Sequence, residues 1–78
     1  MPRFTDTQEF TYLETFESLA LLTDHGTTGE LTVESWDGSG WILTDTITDT
    51  GGKEIFVKGQ TLKFTPTNGM AYSIAEGT

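Results

Sequence analysis

Apolar and polar residues alternate with a period of two along most of this chain. Leu19 and Leu21, Leu31 and Val33, Ile55 and Val57, Leu62 and Phe64, and Tyr72 and Ile74 each occupy one face of a short run. A repeat of two is the signature of a half-buried strand, because successive side chains on a strand point to opposite faces. The runs predict strands at residues 18–22, 30–34, 42–47, 53–58, 61–65 and 70–74. Residues 9–17 fit either period, and their threonine and aromatic content favours a strand near 9–13. The expected core is those ten residues together with Leu43 and Ile47.

Turn chemistry separates the runs. Ser35-Trp36-Asp37-Gly38-Ser39-Gly40-Trp41 places Asp-Gly between two strand-like segments, which makes residues 30–47 the most secure β-hairpin in the chain. Gly59-Gln60 is expected to fold 61–65 back onto 53–58. Pro66-Thr67-Asn68-Gly69 is expected to close a type I′ hairpin into the last strand. The fold class that follows is all-β, a small antiparallel β-sandwich or barrel of six to seven short strands. Residues 1–8 read as an extended N-terminal arm, since Pro2 and alternating polar residues argue against a helix, and residues 9–78 as one β-domain. Phe4 is the arm's one large apolar residue, an anchor for a neighbouring subunit.

Composition adds a question of stability. A chain of 78 residues buries only about 60% of the surface its unfolded form exposes. It has no cysteine and a single histidine, His25, so disulfides, thiolate metal sites and multi-histidine sites are excluded. Oligomerisation is the remaining economical source of stability. Sixteen threonines and nine glycines suit exposed strand faces and turns, and nine aromatics suffice for a core, which separates the chain from disordered sequences. No apolar run approaches a signal or spanning segment, so a soluble protein with no membrane partner is expected.

Charge is uneven. The net charge is −8; residues 1–50 carry ten acids against Arg3 alone, and residues 51–78 carry Lys53, Lys58 and Lys63 against Glu54 and Glu76. An acidic chain without a basic stripe is a poor nucleic-acid binder. The asymmetry is either a solvated acidic surface or a sign that lysine-bearing strands meet an acidic neighbour. Arg3, Phe4, Trp36, Lys58 and Lys63 are the candidate interface residues on the second view.

Little else points to chemistry. Trp36, Trp41 and Tyr72 are candidate platforms for a sugar ring, although Trp41 at a strand start suits the core and Trp36 suits an edge or an interface equally well. Asp45 and Asp49 with the threonines between them match no EF-hand spacing, and acids in turns usually bond to backbone. His25 beside Asp24 lacks a serine or cysteine partner, and Glu14 with Glu17 makes no defined acid–base pair. Neither a metal nor another cofactor is expected, and no catalytic residue is assigned.

Residues 29–41, with their Gly-strand-Asp-Gly-x-x-Trp order, the Gly51-Gly52 turn, the strand ending at Gly59, and Leu62-Lys63-Phe64-Thr65-Pro66-Thr67 together resemble small virion proteins of tailed bacteriophages. The resemblance covers residues 30–74 and is one of style, transferring no functional residue; residues 1–29 match no family pattern. It implies a structural protein rather than an enzyme: a capsid decoration or cement protein, forming a homo-oligomer, with a trimer favoured, on a major capsid or other virion protein. The alternative it implies is a tail- or fibre-associated carbohydrate-binding β-module. In either case the expected location is the virion.

Overall fold

The turn at residues 37–40 returns the chain onto the strand it has just left, and every other connection carries it across to the opposite sheet. The computed structural model describes residues 3–76. They form eight strands: β1 Arg3–Phe4, β2 Gln8–Thr11, β3 Ser18–Asp24, β4 Glu30–Trp36, β5 Trp41–Ile47, β6 Gly51–Phe56, β7 Thr61–Thr67 and β8 Ala71–Glu76. Sheet A has the order β1-β8-β3-β6, sheet B the order β2-β7-β4-β5, and every pairing is antiparallel. The two sheets pack face to face as a β-sandwich, and the molecule's shortest dimension of 17 Å fits two layers about 10 Å apart.

The inward positions follow the period of two. Leu19 and Leu21 on β3 and Tyr72 on β8 meet Leu31 and Val33 on β4, Leu62 and Phe64 on β7 and Ile47 on β5. Val57 joins them just past the end of β6, while Ile55 and Ile74 are partly buried against the cluster. Tyr12 and Met70, absent from the expected core, are buried as well. Both lie immediately outside a strand, where alternation carries no information about direction.

Leu43 is the correction to the expected core, at 58% exposure. Val33 pairs with Asp45, but the next residue on β4, Glu34, pairs with Leu43, leaving Thr44 over as a β-bulge. The extra residue reverses the facing of everything before it on β5, so Leu43 shares the outer face with Glu34. The Thr44 hydroxyl donates to the Val33 carbonyl at 3.0 Å and secures the bulge.

Two expected hairpins are also corrected. Residues 53–58 and 61–65 do not pair: β6 pairs with β3, and β7 lies between β2 and β4 in the other sheet. Nor does β7 pair with β8. Asn68 and Gly69 do take the positive φ of their turn, 55° and 85°, yet that turn bridges the sheets. Pro66 sits within β7 beyond the end of β2, where the strand has a single neighbour and a missing N–H is tolerated.

The expected free arm is likewise part of the sandwich from Arg3 onward; Met1 and Pro2, like Gly77 and Thr78 of the tail, lie outside the described residues. Arg3 and Phe4 pair with Ser73 and Tyr72, and after a three-residue crossing Gln8 to Thr11 pair with β7. The N-terminal segment therefore covers one edge of each sheet. Phe4 packs in its own core, with its ring 5.4 Å from Tyr72 and 5.9 Å from Phe10. Phe10, Tyr12, Phe16 and Phe64 extend this into a continuous aromatic cluster that fills one side of the sandwich.

The opposite side, between β5 and β6, is closed differently. A cleft of about 280 Å³ lies there above Val33, Ile55 and Leu62, and a Lys53–Asp45 ion pair spans it.

Candidate docking surface

The β4–β5 hairpin is built from the tip outward. Asp37 accepts hydrogen bonds from the Ser39 and Gly40 amides at 2.9 and 2.8 Å, and the Ser39 hydroxyl donates to the same oxygen. These donors, the Ser39 amide first and the Gly40 amide next, stabilise the carboxylate and hold its pKa below the usual range. The Asp37 amide closes the loop onto the Gly40 carbonyl at 3.0 Å. A tip fixed in this way sets the register of the tryptophans that flank it.

Trp36 and Trp41 are cross-strand partners on the outer face of sheet B, their ring centres 5.3 Å apart and edge to face at 63°. Such pairs contribute about 0.5–1.5 kcal/mol beyond the area they bury. Trp36 is 42% exposed, whereas Trp41 is half-buried. Lys63 on β7 reaches across, with Nζ 4.4 Å from the centre of the Trp41 ring. Leu43, turned outward by the bulge, stands two residues from Trp41 on the same face. Trp36, Trp41 and Leu43 thus form an apolar ridge on a rigid sheet. Ile42, between Trp41 and Leu43, pairs with Ser35 and faces the other side of edge strand β5, where it is 52% exposed.

The surroundings of the ridge are acidic and hydroxylic. Glu34 lies between Leu43 and Lys63 in the register, and Glu9 pairs with Lys63 from the other side. Thr32, Thr46, Thr61 and Thr65 occupy neighbouring outward positions. Of their hydroxyls, Thr61 bonds Thr11 at 3.2 Å and Thr32 donates to the Thr65 carbonyl at 3.4 Å.

The remaining sequence candidates are scattered. Tyr72 is 1% exposed and donates its hydroxyl to the Asp6 carbonyl at 2.8 Å, so it is a core residue and not a sugar platform. Burial raises its pKa well above the usual phenol value. Arg3 pairs with Asp24 of its own chain at 3.0 Å, with both side chains mostly exposed, and this hydrogen bond lowers the Asp24 pKa. Phe4 is internal. Lys58 is exposed on the connection from β6 to β7, and among the described residues it is the one cation with neither an acid within salt-bridge distance nor a ring beneath it. Of the interface candidates, Trp36 and Lys63 share the outer face of sheet B, each in contact with Trp41. Leu43 was missed because a bulge leaves no mark on the alternation.

The groups weighed for catalysis or metal binding are engaged elsewhere. The His25 ring nitrogen Nδ1 meets the Thr50 hydroxyl at 2.7 Å, and Asp45 is held by Lys53. Among the described residues no three of His, Cys, Asp and Glu cluster as a metal site, and no helix is long and apolar enough to cross a membrane. No family model matches the chain, and neither does a curated protein or a solved structure.

Proposed function

We propose that this protein is a structural module without enzymatic activity that fastens onto a larger protein assembly through the Trp36–Trp41–Leu43 ridge. The resemblance of residues 30–74 to small phage virion proteins gives the assembly a class: a capsid or other virion shell, which this chain decorates as a homo-oligomer. One observation carries the reading. A β-bulge aims Leu43 out of the core to stand beside two tryptophans, on a sheet face otherwise made of threonine and charge. Bulges that re-aim a side chain are retained features of a fold, and aromatic clusters within a polar rim mark protein contacts. Glu9, Glu34 and Asp37 around the ridge favour a partner surface with an apolar pocket and a basic rim.

A glycan platform is the second reading, favoured by the exposure of Trp36. It has less support, because Lys63 covers a face of Trp41 and the two indoles share no plane on which a sugar would lie. Co-sedimentation with purified capsids tests the first reading directly. Wild-type protein is expected to pellet with shells, and Leu43→Glu or Trp36→Ala to stay in the supernatant with an unchanged circular dichroism spectrum. Wild type remaining in the supernatant while its tryptophan fluorescence responds to one class of glycan would replace docking with sugar binding.

A further inference from the structure

Asn68 is the one asparagine in the chain, and it stands directly before a glycine in the turn from β7 to β8. Both residues are exposed, and the space beside Gly69 is open, with no atom within 4 Å of where a Cβ would stand. Among the described residues the Asn68 side chain makes no hydrogen bond, and the Gly69 amide has no acceptor. A single hydrogen bond closes the turn, from the Met70 amide to the Thr67 carbonyl at 3.2 Å. A recess of about 210 Å³, lined by Thr5, Pro66, Thr67 and Met70, opens beside it and admits water.

We propose that Asn68 is a site of spontaneous covalent modification, converting through a cyclic imide to isoaspartate and aspartate. Rotation about the Asn68 Cα–C bond brings the Gly69 nitrogen to the side-chain carbon Cγ, and only the turn's one hydrogen bond opposes it. Glycine presents no side chain to block that approach. Hydroxide removes the Gly69 amide proton, the nitrogen forms a bond to Cγ, and the Cγ–Nδ2 bond breaks. Nδ2 leaves as ammonia with a proton taken from water. Water then opens the five-membered imide. Addition at Cγ gives aspartate, whereas addition at the main-chain carbonyl leaves the chain running through Cγ as isoaspartate. The sum is one amide and one water converted to one carboxylate and one ammonia.

Asp37-Gly38 has the same spacing but is protected. Its carboxylate is a poor electrophile, and one of its oxygens is held by the Ser39 and Gly40 amides and the Ser39 hydroxyl. The product at position 68 has two consequences. Its new carboxylate takes the net charge from −8 to −9. Isoaspartate also lengthens the main chain by one methylene just before Met70, which is 2% exposed and lies so close to Gly29 that no Cβ fits between them. The added length has nowhere to go without moving this buried contact.

Incubation of the folded full chain at about 37 °C and pH 8.5 for several weeks tests this, with intact mass and peptide mapping by electron-transfer fragmentation as readouts. A gain of about 1 Da is expected, placed at position 68, with isoaspartate exceeding aspartate and with slower conversion at pH 6. Asn68→Gly keeps a residue suited to the φ of 55° and is expected to show no gain. The isoaspartate form, separated by anion exchange, should melt several degrees below Asn68→Asp, which carries the same charge on a chain of normal length. A folded protein that keeps its mass while the same chain in urea converts would overturn the proposal. So would a gain that maps to Gln8 or Gln60, or isoaspartate that accumulates at position 37 ahead of 68.

Discussion

Lys53 and Asp45 meet at 2.7 Å across the open side of the sandwich, each pointing inward from an edge strand of a different sheet. Both positions face core residues across their ladders, Leu21 for Lys53 and Val33 for Asp45. With side chains 49% and 31% exposed, the pair contributes little to stability, about 0–1 kcal/mol. Its stronger effect is to place charge where another chain's strand would otherwise extend either sheet. Replacing both residues by valine is expected to leave the melting temperature within a few degrees and to raise aggregation on incubation. Light scattering beside a thermal melt checks this; a double variant as soluble as wild type would remove the protective role.

The N-terminal segment yields a second prediction. Because β1 and β2 cover the edges of β8 and β7 and Phe4 joins the aromatic cluster, deletion of residues 1–8 is expected to unfold the domain. Phe4→Ala is the graded version. Full truncation of a buried phenylalanine costs about 3–5 kcal/mol, and partial burial places this one near 2 kcal/mol. Urea denaturation measures it, and a truncated chain with wild-type stability would mean that the segment is dispensable after all.

These two edges show what alternation reveals and what it does not. The strands from β2 onward, the inward parity of Leu19, Leu31, Leu62 and Tyr72, and the hairpin at Asp37-Gly38 were legible because each depends on neighbours in sequence, whereas β1 was read as part of an arm. Partner choice was not legible. The turns at Gly59 and at Asn68-Gly69 have hairpin chemistry, yet a turn constrains only the local path and not which sheet the next strand enters. Leu43 was misread for a related reason: the bulge at Thr44 arises from pairing with β4, and nothing in residues 41–47 by themselves announces it. Of the Trp36–Trp41–Leu43 ridge, the tryptophans were visible and the leucine was not.

Acid is expected to loosen the hairpin tip. The Asp37 carboxylate is stabilised in the fold by the Ser39 and Gly40 amides, so its folded pKa lies below its unfolded one. A group shifted in this direction contributes fully above the unfolded value, near pH 4, and loses its contribution as pH falls through the folded value. Trp36 and Trp41 fluorescence should therefore change as pH is lowered beneath about 4, before global unfolding. Asp37→Ala should show the altered emission already at pH 7. An acid titration that leaves emission flat until the whole domain unfolds would show that the tip is held by other contacts.

Gly29 gives the sharpest steric prediction. The Gly29 amide donates to the His25 carbonyl at 2.7 Å, and a Cβ at this buried position would come within 2.6 Å of that carbonyl oxygen and 2.9 Å of the Met70 backbone. Neither obstacle is a flexible side chain, so the backbone itself must move. Gly29→Ala is expected to cost about 1–3 kcal/mol, the range for overpacking. Gly40→Ala, with no atom within 4 Å of its added carbon, should cost far less. Equal melting temperatures for the two variants would contradict this close approach.

Tyr72 makes the final case, and its sign runs opposite to that of Asp37. Its hydroxyl is buried between the sheets and donates to the Asp6 carbonyl, so ionisation would place a charge in the core and break that bond. Burial is the leading cause of its raised pKa, and the nearby Asp6 carboxylate adds to it. A phenol whose folded pKa exceeds its unfolded value of about 10 supports the fold fully below that pH. Above it the unfolded chain gives up a proton that the folded chain retains, and stability falls as pH rises. Urea unfolding at pH 8, 10 and 11 is expected to show this decline. In Tyr72→Phe the decline should shrink, against a loss of about 1 kcal/mol at pH 8 for the missing hydrogen bond. A variant that declines as steeply as wild type would place the alkaline sensitivity elsewhere, and would leave the contact with Asp6 as a purely structural tie between the N-terminal crossing and β8.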